Sequence, residues 1–548
     1  MLGHIEDLPR IAVLSLEVLA VAIPLIIFTN LVRRLFSRAS LPPSLPWVGT
    51  GPHSGPLSRA QANLKSFFGL KTLLDEGYYK YSRNNQAYVL PYFLNGYQVV
   101  LPLSQIDWLL AQPDSALSQE DVNRQFLESD YTFPHPSFVK DPVHPEIIRH
   151  ELTKKLNSFA DDVVDEVEQA LVDSWGTDTD EWVEVNVYQT LLRIVARLST
   201  RVFVGLPLCR EPEFLEACES FNRNVALSGA FLNLLPSFLK PFLAPLVSGA
   251  DYLRYKKCAR YILPTIKERL EILKNREKLP VFDPCPPSDY IQWAIDHAVQ
   301  EGGLESRELE SRVIATRFAI LCFAAIQSSV ITLTNAVFDI ASSPDCASFL
   351  DTMRREVLDE TAGATTAAPS WSRAMMARLT HVDSALRESL RLNGFIERGI
   401  MKMVVAAGGV TLPDGSHVPR GTKVGISGWS VHHDNDVYAN ATTYDAFRFA
   451  KGSASGKGDD NVKSKPQALI NTSDHFMGFS HGSHACIIHA NTLSPGRFFA
   501  ANQMKIALGH IALRYEIEPI PERPKNQWFF GHIAPPLGDT LRVRRRRS

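Results

Sequence analysis

Cys486 lies in the run FSHGSHACIIHANTLSPGRFFA, residues 479–500. A cysteine in a glycine-bearing loop ahead of a helix is well placed to be a thiolate, because the free N–H groups and dipole of the helix start stabilise negative charge. A lone cysteine is otherwise a small buried hydrophobe. Three further groups of residues bear on the choice. Glu388 and Arg391, in ESLR, stand three apart; on a helix they share a face and can pair, although an exposed pair of that kind contributes little. Arg448, in TTYDAFRF at 442–449, can join them and fix the loop that leads to the cysteine. Gln327, Ser328 and Ser329, in FAAIQSS at 323–329, interrupt an apolar run. Their side chains can loosen a helix by bonding its backbone, and so offer polar atoms inside an apolar pocket.

The elements that must position these residues are mostly helical. Apolar residues recur at helical spacing over 101–112, over 146–175, where more than one helix fits, and over 380–394, where Gly394 supplies a stop. Residues 308–343 are almost uniformly apolar in the middle, but Arg312, Arg317 and Gln327 interrupt them; a buried central helix explains this run better than a membrane span. From Ile400 onward, MVVAAGGVTLPDGSHVPRGTKVGIS has short β-type runs divided by hairpin signals. Residues 452–466 form a polar low-complexity loop, and PGRFFAANQMKIALGHIALRYEIEPIP reads as a helix followed by a strand. The fold class is therefore mainly α with a small β portion, without internal repeats.

Composition narrows the function. The chain has 548 residues, 45% of them hydrophobic and 21% charged, enough apolar material for a large core. Its net charge of −2 gives no reason to expect a nucleic-acid partner. The basic run 542–547 reads as a solvated tail, with a contact to anionic lipid as the second reading. The seven cysteines are scattered without CxxC spacing, which argues against a disulfide framework or a zinc site and fits a reducing compartment. Residues 11–32 are apolar and long enough to span a bilayer. Glu17 within them costs up to roughly 3 kcal/mol at mid-bilayer. Arg33, Arg34 and Arg38 follow at once and hold the C-terminal side in the cytosol. A cleaved signal peptide is the competing reading, but neither a positive n-region nor a clear small-residue cleavage site accompanies the run. LPPSLPWVG, at 41–49, makes a stiff connector. The expected organisation is an N-terminal membrane anchor at 1–40, a Pro-rich hinge at 41–50 and a catalytic domain at 51–548.

In this order and at these separations, the features resemble the cytochrome P450 superfamily of haem-thiolate monooxygenases. The wording of ESLRLNGF, VTLPDGSHVPRGT, WSVHHDNDVYANA, YDAFRF, GSHAC and PGRFFAANQMK is similar to membrane-bound members from filamentous fungi, many of which serve secondary metabolism. The resemblance implies a cytochrome P450 fold preceded by one N-terminal transmembrane helix, single-pass in the endoplasmic reticulum with the catalytic domain cytosolic. It implies that Cys486 is the axial ligand of a haem iron, its thiolate pushing electron density that favours O–O cleavage. Phe479 and Gly482 match the family's Phe-x-x-Gly-x-x-x-Cys loop, and His484 the position beside a haem propionate. Glu388, Arg391 and Arg448 match a structural charge cluster. Arg149 is implied as a second propionate partner, although Pro145 stands where the family has tryptophan; Arg398 and Lys402 are further candidates for that job. Ala325 and its neighbours, residues 396–405 and the turn at Ala534 are implied as substrate contacts.

Two departures matter. The family often has an acidic residue followed by Thr on the distal helix; here Gln327 and Ser328 stand there, and Gln cannot titrate. Residues 487–494, IIHANTLS, also separate the cysteine from Pro495 and Gly496. Removing them restores GSHACPGRFFA, so they are either translated intron sequence or a real insertion. With them, Ile488 takes the place of a glycine that closely approaches the porphyrin. The resemblance implies an enzyme that inserts one oxygen atom from O2 into a lipophilic, terpenoid- or polyketide-like small molecule. Electrons would come from NADPH through a separate cytochrome P450 reductase, since no flavin-binding signature is visible. A haem-thiolate lyase or isomerase working without a reductase is the second class, and an inactive relative damaged by 487–494 the third.

Overall fold

The computed structural model describes residues 24–33, 41–50, 55–93, 96–135, 138, 143–148, 151, 153–275, 287–362, 371–394, 397–450, 467–482, 496–529 and 531–547. The chain divides into two compact units.

The first unit comprises residues 1–132, 226–249 and 402–425. Pro24–Arg33 is a short apolar helix; residues 11–23 of the expected span lie outside the described residues. Helix Pro56–Lys80 lies against the antiparallel hairpin of Tyr88–Tyr92 and Gly96–Val100. The contact is close because Gly77 leaves room for a ring: a Cβ there would meet Tyr88 at 2.2 Å. A parallel strand beginning at Lys423 adds to the hairpin, with Gln98 opposite Lys423. Leu117 and Ser118 pair antiparallel with Val404 and Met403. The hairpin signals after Ile400 are thus realised as strands Ile400–Val404, Val410–Thr411, His417–Val418 and Lys423–Ile426.

The second unit comprises residues 133–225, 250–401 and 426–548 and is dominated by helices. The long helix Ser311–Ala341 packs along Val187–Phe203. The latter buries Val187, Leu191, Ile194, Val195, Leu198 and Val202, an apolar stripe at helical spacing. Asn186 caps its start by accepting the Gln189 N–H at 2.8 Å. Helix Thr380–Leu392 and helix Gly496–Arg514 both pack on the long helix. Ser311–Ala341 is apolar enough for a membrane span, yet it is largely buried, as the sequence implies for a central helix.

The basic C-terminal run corrects one expectation. Residues 542–547 are not a solvated tail. Thr540–Arg545 is a strand between Val183–Asn186 and Tyr515–Ile517. Leu541 and Val543 are buried by its alternation, and arginines of the run meet carboxylates: Arg544 to Glu516 at 2.6 Å, Arg545 to Glu168 at 2.6 Å and, just past the strand, Arg546 to Asp351 at 3.0 Å.

Candidate active site

The most tightly bonded group of sequence-predicted residues centres on Glu388. Helix Thr380–Leu392 places Glu388 and Arg391 on one face, and both are completely buried. Arg391 donates from Nε to Oε2 and from Nη2 to Oε1, each at 2.8 Å. Arg448 adds its Nε to Oε1 at 2.9 Å. The remaining donors are used on backbone carbonyls: Arg391 Nη1 reaches Ala441 O at 2.7 Å, and Arg448 Nη1 reaches Ala439 O at 2.6 Å. Because every charge is both paired and hydrogen-bonded, the cluster tolerates desolvation and fixes the segment 439–448 onto the helix.

The same helix holds a second segment through residues the sequence reading missed. Arg387 donates from Nη1 to Ala468 O and Asn471 O, both at 2.6 Å. Its guanidinium lies 3.6 Å from the Phe476 ring centroid and 4.7 Å from that of Phe449. Burial pushes its pKa down to about 10. Asp383 accepts from Leu469 N at 2.5 Å and pairs with Lys505 at 2.7 Å, which joins helix Gly496–Arg514 to the assembly. Ser389 and Asn393 donate to Asp339 of the long helix at 2.5 and 2.9 Å. Burial pushes the Asp339 carboxyl up.

These anchors precede the cysteine loop. Phe479 is buried, and Ser480 N donates to Met477 O at 2.9 Å in a tight turn. Ser480 and Gly482 have φ of 64° and 84°, the left-handed region in which glycine is unstrained. Gly478 lies against Leu390, where a Cβ would come within 2.8 Å of its side chain. Cys486, His484, Arg149 and residues 487–494 lie outside the described residues. The helix expected from PGRFFA begins at Gly496.

The long helix carries the second part of the site. Between Val313 and Ala341 its residues are buried except Ala324, Ala325, Gln327, Ser328 and Ile331. These five lie at i, i+1, i+3, i+4 and i+7, which is one face of a helix. They form a partly accessible stretch in the middle of a helix that is buried above and below. Small side chains make up most of this stretch, and the neighbouring Phe323 ring lies 5.7 Å from that of Phe133. The helix is continuous here; the hydroxyls do not break it but bond back onto it. Ser329 donates to Ala325 O at 3.0 Å and Ser328 to Ala324 O at 3.4 Å. The Gln327 side chain makes no hydrogen bond to the described residues, and neither it nor Ser328 can titrate near neutrality.

The other expected site residues are placed as follows. Arg398 is half-buried; burial, helped by the Arg398 charge, pushes His532 down to about 3, so that imidazole is neutral. Lys402 instead donates to Gln112 O at 3.1 Å, a contact that occupies its ammonium group. Ala534 ends the strand His532–Ala534.

The described residues suit a flat, apolar group with anionic substituents. The accessible face of the long helix is mostly apolar, Arg398 supplies a half-buried cation, and a buried frame holds the segment that precedes Cys486 in the sequence. Residues 97–539 match the family model described as Cytochrome P450. The chain is 31% identical over 509 residues to cytochrome P450 monooxygenase 151 of Postia placenta, covering 92% of this chain and 94% of that one. It is also 31% identical over 517 residues to cytochrome P450 monooxygenase polB of Polytolypa hystricis, covering 92% and 94%. The crystal structure of the cytochrome P450DA heme domain shares the fold, with a TM-score of 0.62 over 92% of this chain and 97% of that one at 17% identity.

Proposed function

The chain belongs to the cytochrome P450 family, whose similar fungal members are monooxygenases, and on that premise we propose that it inserts one oxygen atom from O2 into a lipophilic intermediate of secondary metabolism. Electrons come from NADPH through a separate reductase. The observation that carries the substrate class is the accessible stripe Ala324, Ala325, Gln327, Ser328 and Ile331, an apolar wall with one amide and one hydroxyl. Such a wall binds by shape and apolar area and orients its ligand with very few polar contacts.

Haem, bound through Cys486, supplies the oxygen-activating chemistry. The protein's part is to hold the porphyrin and deliver protons. We assign Phe479, Gly482 and His484 to the porphyrin's proximal surroundings and Arg149 and Arg398 to its propionates. Glu388, Arg391 and Arg448 keep the frame that carries Cys486 in register. With no acid at Gln327, a proton reaches the reacting oxygen through the Ser328 hydroxyl or through water held beside the Gln327 amide.

The anchor at 1–40 places the catalytic part at the cytosolic face of the endoplasmic reticulum. Helix Pro24–Arg33 supports this reading: Ile27 packs against Leu232, Leu235 and Ala244, while Leu25 and Phe28 are exposed. In the same unit Phe238, Phe242 and Leu246 are each at least two-thirds exposed, an apolar surface suited to lipid.

Turnover with the purified reductase tests the function. Product that requires NADPH, O2 and reductase together supports the monooxygenase. Product formed without NADPH or reductase overturns it in favour of a haem-thiolate lyase or isomerase, the class that a non-titrating Gln327 permits.

A further inference from the structure

We propose that His432 is a positioning residue that locks the segment 477–482, and through it the approach to Cys486, to the helix carrying Glu388 and Arg391. The role of Cys486 in this statement rests on the haem-thiolate reading; the bridge itself does not.

His432 closes the short helix Gly428–His432 and is buried. Its Nδ1 lies 3.1 Å from Arg391 O, and its Nε2 lies 2.9 Å from Met477 N. A carbonyl can only accept and a backbone N–H can only donate. The ring is therefore neutral, with the proton on Nδ1 and a lone pair on Nε2. The His432 carbonyl in turn accepts from Arg391 Nη1, so the two residues are bonded in both directions. The imidazole stacks on Phe476, with centroids 5.6 Å apart and planes at 22°, and Phe476 also receives the Arg387 guanidinium.

Packing leaves Met477 little freedom to move away from this bond. A Cβ on Gly399 would come within 2.4 Å of Met477 Sδ, and one on Gly428 within 2.8 Å of the Gly399 backbone. The Met477 carbonyl then accepts from Ser480 N at 2.9 Å, which starts the turn containing Phe479 and leading to Gly482. One imidazole thus transmits the position of Arg391 to the loop, using a donor and an acceptor whose spacing no single hydroxyl or amine matches.

Amide exchange and the reduced, carbon-monoxide-bound spectrum of the full chain test this in three variants. His432→Gln can place an oxygen where Nε2 lies and accept from Met477. His432→Asn reaches only the Nδ1 position, and His432→Phe keeps the stacking alone. Exchange in the buried helix Ser311–Ala341 reports global folding. The expected result is protection at Met477 in His432→Gln between that of the wild type and that of the other two variants, since Gln keeps the acceptor but not the donor to Arg391 O, and exchange faster by about tenfold or more in His432→Asn and His432→Phe, as for loss of one buried hydrogen bond. The thiolate-ligated band should follow the same order. Protection at Met477 in His432→Phe or His432→Asn equal to the wild type overturns the bridge. The predicted exchange pattern with an undiminished band in those two variants overturns its role in positioning the cysteine. The predicted exchange pattern with no band in any protein, wild type included, upholds the bridge, and absence of the band also from the chain lacking residues 487–494 then rejects the haem-thiolate reading instead.

Discussion

Glu388 holds Arg391 through both carboxylate oxygens, at 2.8 Å each, and neither side chain is exposed to solvent. On an exposed helix an i, i+3 pair is worth a few tenths of a kcal/mol. Here it is the centre of a frame. Removing one partner strands a buried charge, at a cost of about 3–5 kcal/mol. Glu388→Ala or Arg391→Ala should lower the unfolding free energy measured in urea by that amount, and Arg391→Lys should not restore it, because an ammonium group cannot reproduce the two-nitrogen grip. Arg448→Ala should cost less, about 1–3 kcal/mol, since its side chain is partly exposed and Arg391 stays on the carboxylate. Equal losses for Arg448 and Arg391 would show that the cluster is organised differently.

The distal face makes a kinetic prediction. Ser328 is the hydroxyl on the accessible stripe, and its bond to Ala324 O at 3.4 Å is long enough to be exchanged for another. Ser328→Ala should reduce product formed per NADPH on the order of tenfold, below the range of 10²–10⁴ for loss of a direct proton donor, because water shares the role. Hydrogen peroxide release should rise in step. Unchanged coupling would remove Ser328 from the proton route.

Acid stability is expected to depend on His510. Burial pushes it down to about 4; its Nδ1 lies 2.8 Å from Ile506 O, and its ring stacks on Trp371 at 4.5 Å. A histidine with a folded pKa below its unfolded value favours the fold fully above the unfolded pKa, near 6.5. That contribution is lost as pH falls toward the folded pKa, because the unfolded chain binds the proton first. Between pH 6.5 and 4 the loss amounts to about 3 kcal/mol. His510→Phe keeps the ring and cannot titrate, so its stability should fall less steeply over this window. Parallel urea-midpoint curves for the two proteins would contradict the assignment.

Membrane attachment separates two parts of the chain. Without residues 1–40 the protein should lose most of its membrane association, and the remainder should weaken further when Phe238, Phe242 and Leu246 are replaced by Ser. Carbonate-resistant membrane association after deletion of 1–40 would refute the single-anchor reading.

Much of this arrangement is legible in the sequence because it is local or periodic. The spacing of Glu388 and Arg391 gives their shared face, and uniform apolarity gives the buried helix Ser311–Ala341. Contacts between distant segments leave no such mark. Arg387 and His432 act on backbone atoms 81 and 45 residues away, and any sequence supplies those atoms. The arginines at 542–547 look like a tail because their carboxylates lie elsewhere in the chain, although the alternation of Leu541 and Val543 was a readable strand signal.

We propose that Cys486 ligates a haem iron within the frame built on Glu388. The direct measurement is the reduced, carbon-monoxide-bound absorption spectrum of the full chain, of the chain lacking residues 487–494, and of each with Cys486→Ser. The thiolate-ligated band is expected in at least the shortened chain, with its loss on Cys486→Ser in the same background. A band in the shortened chain alone would make residues 487–494 the element that blocks haem binding. Absence of the band from both forms, or its survival in Cys486→Ser, would contradict the account.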